Sequence, residues 1–137
     1  MSNSIIRASF ETKLAAWADA QTPKISIAYQ NQSFAKPSNG AAYLEAFLLP
    51  NDTLNKELSG QRKTYIGIFQ VNCWIKSGIG IGQGDALAQE IINLFPMLPK
   101  SGAVSIEQTP TQEKAILDDS GWVIVPVTIK YRMESVL

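Results

Sequence analysis

A chain of 137 residues with 45% hydrophobic and 18% charged side chains fits one globular domain that buries about two-thirds of its unfolded surface, neither disordered nor membrane-spanning. Its 12 basic and 12 acidic side chains cancel and are scattered, leaving no basic stripe for a phosphate backbone and predicting no sequence-specific nucleic-acid binding. Histidine is absent and cysteine occurs once, which removes the commonest general base and metal ligand, any intrachain disulfide and any cysteine-rich zinc site.

Residues 4–20 read as a helix. At 100° per residue, Ile6, Phe10, Leu14 and Trp17 fall within an arc of roughly 80°. Asn3 or Ser4 is placed to cap it, and Thr22-Pro23 stops it. Arg7, Glu11 and Lys13 interrupt its apolar residues, so a signal peptide is not expected. No apolar run reaches the roughly 18 residues of a membrane span. The lone thiol fits a reducing cytoplasm.

A short strand over 25–29 is followed by turn chemistry over 31–40, with Pro37 and Ser38-Asn39-Gly40. Residues 41–49 form a strand with two apolar faces: Leu44, Ala46 and Leu48 on one, Tyr43 and Phe47 flanking Glu45 on the other. The polar stretch PNDTLNKELSGQRK, ending on Arg62 and Lys63, is long for a connection, and such loops are usually functional or mobile. The strands on either side of it pair naturally as a hairpin arm.

The strand over 65–76 places Tyr65, Phe69, Val71, Cys73 and Ile75 on one face. Gln70, Asn72 and Lys76 share the other, which turns apolar through Ile66 and Ile68. A glycine-rich turn over 78–84 leads into a helix capped by Asp85, with Leu87, Ile91, Leu94 and Phe95 inward and Pro96 and Pro99 ending it. Short strands over 103–108 and 113–117 and an Asp118-Asp119-Ser120-Gly121 turn precede a long strand over 122–133. Its core face carries Val123, Val125, Val127, Ile129 and Tyr131, and Pro126 points to a sheet edge or a bulge. The order α-β-β-β-α-β-β-β predicts an α+β fold with a largely antiparallel sheet.

The glycine run invites comparison with phosphate-binding loops. From Gly78 the third fingerprint position holds Gln83, and from Gly80 it holds Asp85. The loop also lacks the Gly-Lys-Ser/Thr ending of a P-loop. A carboxylate at the helix start repels a phosphate, so chain reversal is the better reading. Asp118-Asp119 reads as a solvated turn rather than a cation site, and Cys73 as a core thiol rather than a nucleophile. No catalytic, cofactor-binding or metal-ligating residue is identified.

Trp74 and Trp122 alternate onto the more polar faces of their strands, where either a loop or a partner subunit covers them. Together Tyr43, Phe47, Ile66, Ile68, Trp122 and Ile124 make a second apolar sheet surface. If both helices lie on the opposite side, a partner chain is needed to cover it. The balanced net charge permits self-association.

Several segments resemble the phage tail-terminator (tail completion) family, in order along nearly the whole chain. They are Ile6-Arg7-Ala8-Ser9-Phe10-Glu11 with Leu14-Ala15-Ala16-Trp17, Ile27-Ala28-Tyr29-Gln30-Asn31, Tyr43-Leu44, Leu48-Leu49-Pro50, Tyr65 to Val71, and Gly121-Trp122 with Val125-Pro126-Val127. The resemblance implies a cofactor-free α+β virion protein, assembled in the host cytoplasm and placed at the head-proximal end of the tail. There it forms a hexameric ring that ends tube polymerisation and presents the head-joining surface. Its partners are then copies of itself, the tail tube protein and a head-completion protein. Candidate interface residues are Tyr43, Phe47, Arg62, Lys63, Trp74 and Trp122, beside a mobile loop over 51–63. A head–tail adaptor, a tube subunit, or a nucleotide-binding enzyme using the 78–84 turn are the competing readings.

Overall fold

The computed structural model describes residues 3–37, 39–51, 54–55, 62–96, 104–118 and 120–136. Only the backbone is described for Leu54, Asn55, Arg62, Lys63, Ser135 and Val136. The elements are α1 (Asn3–Asp19), β1 (Ser26–Tyr29), β2 (Tyr43–Pro50), β3 (Leu54–Asn55), β4 (Arg62–Lys76), α2 (Gly82–Leu94), β5 (Ser105–Ile106), β6 (Thr111–Gln112), β7 (Ile116–Asp118) and β8 (Trp122–Val136). This is the expected α+β order, with two further two-residue strands, β3 and β6.

One mixed sheet runs β1-β2-β4-β8, with β5, β6 and β7 following one another along the outer side of β8. β1 is parallel to β2 and every other pairing is antiparallel. At its centre β4 and β8 pair without interruption over 15 residues, from Arg62↔Val136 to Lys76↔Trp122. The expected hairpin is present: β2 and then β3 follow the same side of β4. Pro50 faces Gly67 and Leu54 faces Thr64; four steps on one strand span three on the other, the count of a bulge.

Both helices pack on one face. Ile6, Phe10 and Leu14 of α1, with Leu87, Ala88 and Ile91 of α2 and Phe95 beyond it, meet the inward residues of β2, β4 and β8 in one core. The Phe10 ring stacks on Phe69 at 4.6 Å and lies 5.5 Å from Phe95 and 5.7 Å from Tyr131. Trp17 is half-buried at the rim, and Ala18 takes the deeper place beside it. Gln30 ties α1 to the sheet, since its Oε1 accepts from Leu48 N at 2.8 Å and from Arg7 Nη1.

Two local expectations are corrected and one is met on one side only. Asp85 does not cap α2: the helix begins at Gly82 behind Ile81, which makes no side-chain cap. Asp85 lies in the first turn and accepts from Gln112 Nε2 at 2.7 Å. Pro126 meets its expectation on one side: toward β4 Asn72↔Pro126 is a rung of an unbroken register, while on the outer side Gln112↔Val127 gives way to Ile116↔Ile124, four steps against three, and Pro126 lies opposite that bulge. Its carbonyl accepts from Glu113 N at 2.8 Å. Since N and C=O of one antiparallel residue point the same way, its ring nitrogen faces the gap between β6 and β7, where the described ladders have no rung for it to break. Finally, α1 already includes Asn3 and Ser4, so neither is a half-in flanking residue.

Candidate functional site: the open face of the sheet

The face away from the helices carries the odd residues of β2 and the even residues of β4 and β8. Register sets them in rows: Tyr43–Trp74–Ile124, Glu45–Asn72–Pro126, Phe47–Gln70–Thr128 and Leu49–Ile68–Lys130. An aromatic end, a polar middle and an aliphatic end follow from that order.

At the aromatic end Tyr43 stacks on Trp74 at 5.4 Å and meets Trp122 edge-on at 5.2 Å. The segment before β2 folds over this cluster. Phe34 lies 5.1 Å from Tyr43, and Lys36 Nζ sits 5.0 Å from the Trp74 ring and 5.7 Å from Trp122. Lys76 Nζ lies 5.2 Å from Trp122. These are cation–π distances. Tyr43 and Trp122 are consequently only 3% and 5% exposed: for these two, a loop of the same chain supplies the cover. Trp74 and Phe47 remain half-buried on the open face. Of the remaining candidates, Arg62 and Lys63 open β4 opposite Val136 and Ser135, and their side chains lie outside the described residues. So do positions 52–53 and 56–61 of the polar stretch.

In the polar middle Glu45 Oε1 accepts from Asn72 Nδ2 at 3.0 Å and from Trp74 Nε1 at 3.1 Å, and Asn72 Oδ1 accepts from Gln70 Nε2 at 2.9 Å. Glu45→Ala leaves two donors without an acceptor, one of them on buried Asn72, at a cost of about 1–3 kcal/mol. Glu45→Gln keeps an acceptor oxygen and is expected to cost less. Thermal unfolding of the two variants compares them, and equal midpoints would dismiss the network. This polar row was missed in sequence because its members are ordinary surface residues; only β2–β4 register unites them.

The glycine run has a structural use at each end. Gly78 and Gly80 adopt positive φ of 89° and 85°, as a tight reversal requires. A Cβ on Gly84 would lie 2.7 Å from Val125 Cγ2 and 3.0 Å from Ile75 Cδ1, so this glycine sets how closely α2 approaches the sheet. Cys73 is buried, and burial pushes its thiol from 9.0 up to about 12. An unfolded chain ionises first, so this group's contribution to stability is intact below pH 9.0 and declines as pH rises toward 12. Alkylation of the folded protein at pH 8 is expected to be slow and to become fast in denaturant; rapid labelling without unfolding would contradict this.

Among the described residues no group of three or more Cys, Asp or Glu side chains converges on a metal-sized site. No described helix is long and apolar enough to cross a membrane.

The helices cover one side of this α+β sheet, and the other side presents polar and apolar rows held in register as a surface open to contacts. Comparison with known proteins makes this specific. A family model described as "Phage tail terminator protein" matches residues 5–131, and the chain belongs to that family. It is accordingly a structural component of the phage tail. One solved structure, 31% identical over 97% of this chain and 96% of that chain, superposes with a TM-score of 0.78. No curated protein gives a significant match.

Proposed function

We propose that copies of this protein close into a ring, six-membered as in the family resemblance, on the head-proximal end of the tail tube. One side of the ring accepts the last layer of tube subunits and the other offers no site for another, so polymerisation stops and the head-joining surface is presented. The observation that carries this reading is the placement of both helices on one side of the sheet. It leaves Leu49 exposed and Phe47, Ile66 and Ile68 half-buried on the face away from the helices. Copies of the chain cover that face, with Phe47 and Trp74 in the contact.

Assembly takes place in the host cytoplasm, with the tail tube protein and a head-completion protein as partners. Electron microscopy of tails made without this protein tests the role: overlong tails are expected. Tails of normal length that cannot join heads would instead indicate an adaptor, and unlimited polymerisation of the purified chain alone would indicate a tube subunit.

A further inference from the structure

Because β1 and β2 are parallel, the chain must cross between them, and such crossovers are usually helical. Here the described residues of 30–42 form neither helix nor strand. They pass over the aromatic end of the open face instead. Among the described residues, no backbone hydrogen bond holds 33–36 to the sheet. Two side chains do the holding: Phe34 against Tyr43, and Lys36 over the Trp74 and Trp122 rings. Asn31 and Gly40, with positive φ of 55° and 76°, stand on either side of this stretch as turn positions.

The cover and what it covers differ sharply. Residues 31–36 are all exposed, whereas Tyr43 and Trp122 beneath them are buried. The charges that fasten the cover are also close to balance. Asp118, held below the usual carboxylate range by hydrogen bonds from Ser120 and also by Lys36, draws that lysine inward. Lys76 sets a second ammonium against the same Trp122 ring, and like charges repel. Exposed, unpaired backbone fastened by few contacts is the profile of a segment that opens at low cost while the core stays intact.

We propose that residues 31–37 form a hinged strap with Lys36 as its latch. Closed, it shields Tyr43 and Trp122; open, it adds both to the Phe47–Trp74 contact row, and the sheet beneath stays folded. The open state is a minor population that a neighbouring copy draws on. That last role rests on the ring reading, whereas the hinge motion does not.

Fluorine NMR of the full chain labelled with 5-fluorotryptophan reads its three indoles separately. The change in each resonance between light and heavy water grows with exposure, so Trp74 and Trp122 report the strap and Trp17, on the helix side, is the control. Phe34→Ala with Lys36→Ala removes both holds at exposed positions. The open population is expected to rise about tenfold or more, with Trp122 gaining exposure and Trp17 unchanged. Self-association, followed by light scattering, should then tighten by up to the same factor, because a larger share of copies is competent to bind. If Trp17 loses its native resonance, the milder Lys36→Gln repeats the measurement.

Unchanged exposure of Trp122 would make the strap a fixed part of the fold and overturn the proposal. Greater exposure with weaker assembly would make Phe34 and Lys36 contact residues themselves, which overturns their role as a cover. Wild-type chains that stay single both in solution and on isolated tails would remove the ring reading, while the fluorine signal still decides whether the strap opens.

Discussion

Phe10→Ala is expected to destabilise the fold by about 3–5 kcal/mol, the usual cost of emptying a buried phenylalanine site. The site cannot collapse easily. Phe10 is 2% exposed and joins both helices to the sheet, stacked within 8° of parallel on Phe69 and tilted against Phe95 and Tyr131. Its three aromatic partners come from β4, the end of α2 and β8, so closing the void means moving three elements at once. Against a total stability on the order of 5–15 kcal/mol, this is a large fraction. Urea unfolding measures it through the shift in midpoint at constant slope. Trp17→Ala on the same helix should cost less, because Trp17 is only half-buried at the rim. A Trp17 loss exceeding the Phe10 loss would refute the placement of the core.

Gly67→Ala is the second large effect, and it acts by overfilling. An added Cβ would lie 2.5 Å from Tyr131 Oη, 2.6 Å from Leu49 O and 2.9 Å from Pro50 Cα. Gly67 and Tyr131 are register partners on β4 and β8, so the tyrosine lies across the glycine, as aromatics do when they cover a strand glycine. Overpacking typically costs about 1–3 kcal/mol; here two of the three obstructing atoms are backbone, which puts the expected loss at the upper end or beyond. Tyr131→Phe separates the contributions. Its hydroxyl is buried without a hydrogen-bond partner among the described residues, so removing it should be neutral or stabilising. The double variant should then recover only part of the Gly67→Ala loss, since Leu49 O still obstructs. Full recovery would show that the tyrosine alone defines the clash.

Much of this was legible in sequence because period counts faces. The 3.6-residue pattern of Ile6, Phe10 and Leu14 located α1, and strict alternation through Phe69, Val71 and Cys73 and through Val125, Val127 and Ile129 located the inner face of β4 and β8. Alternation also placed Tyr43, Trp74 and Trp122 on the second face. It could not say what covers them, because the cover, Phe34 and Lys36, comes from a segment whose composition reads only as turn. Pro126 signals an interrupted ladder without saying on which side of its strand. A missing N–H rules out a ladder bond on one side only, and which side depends on where the neighbouring strands break. Asp85 has the residue type of a cap, yet the helix starts three residues earlier because glycines 82 and 84 accept helical geometry where nothing opposes it or close packing demands it.

The β4–β8 ladder also dictates an order of events during synthesis. Arg62 pairs with Val136 and Lys76 with Trp122, so α2 and every outer strand lie between the two partners. The pairing with most rungs is the one that must wait until β8, about 50 residues downstream, has left the ribosome. Until then one flank of β4 stands unpaired, an open template for another nascent chain. Long-range closure of this kind slows folding relative to local helical contacts. Premature release anywhere within β8 therefore strips the middle of the sheet rather than trimming its margin.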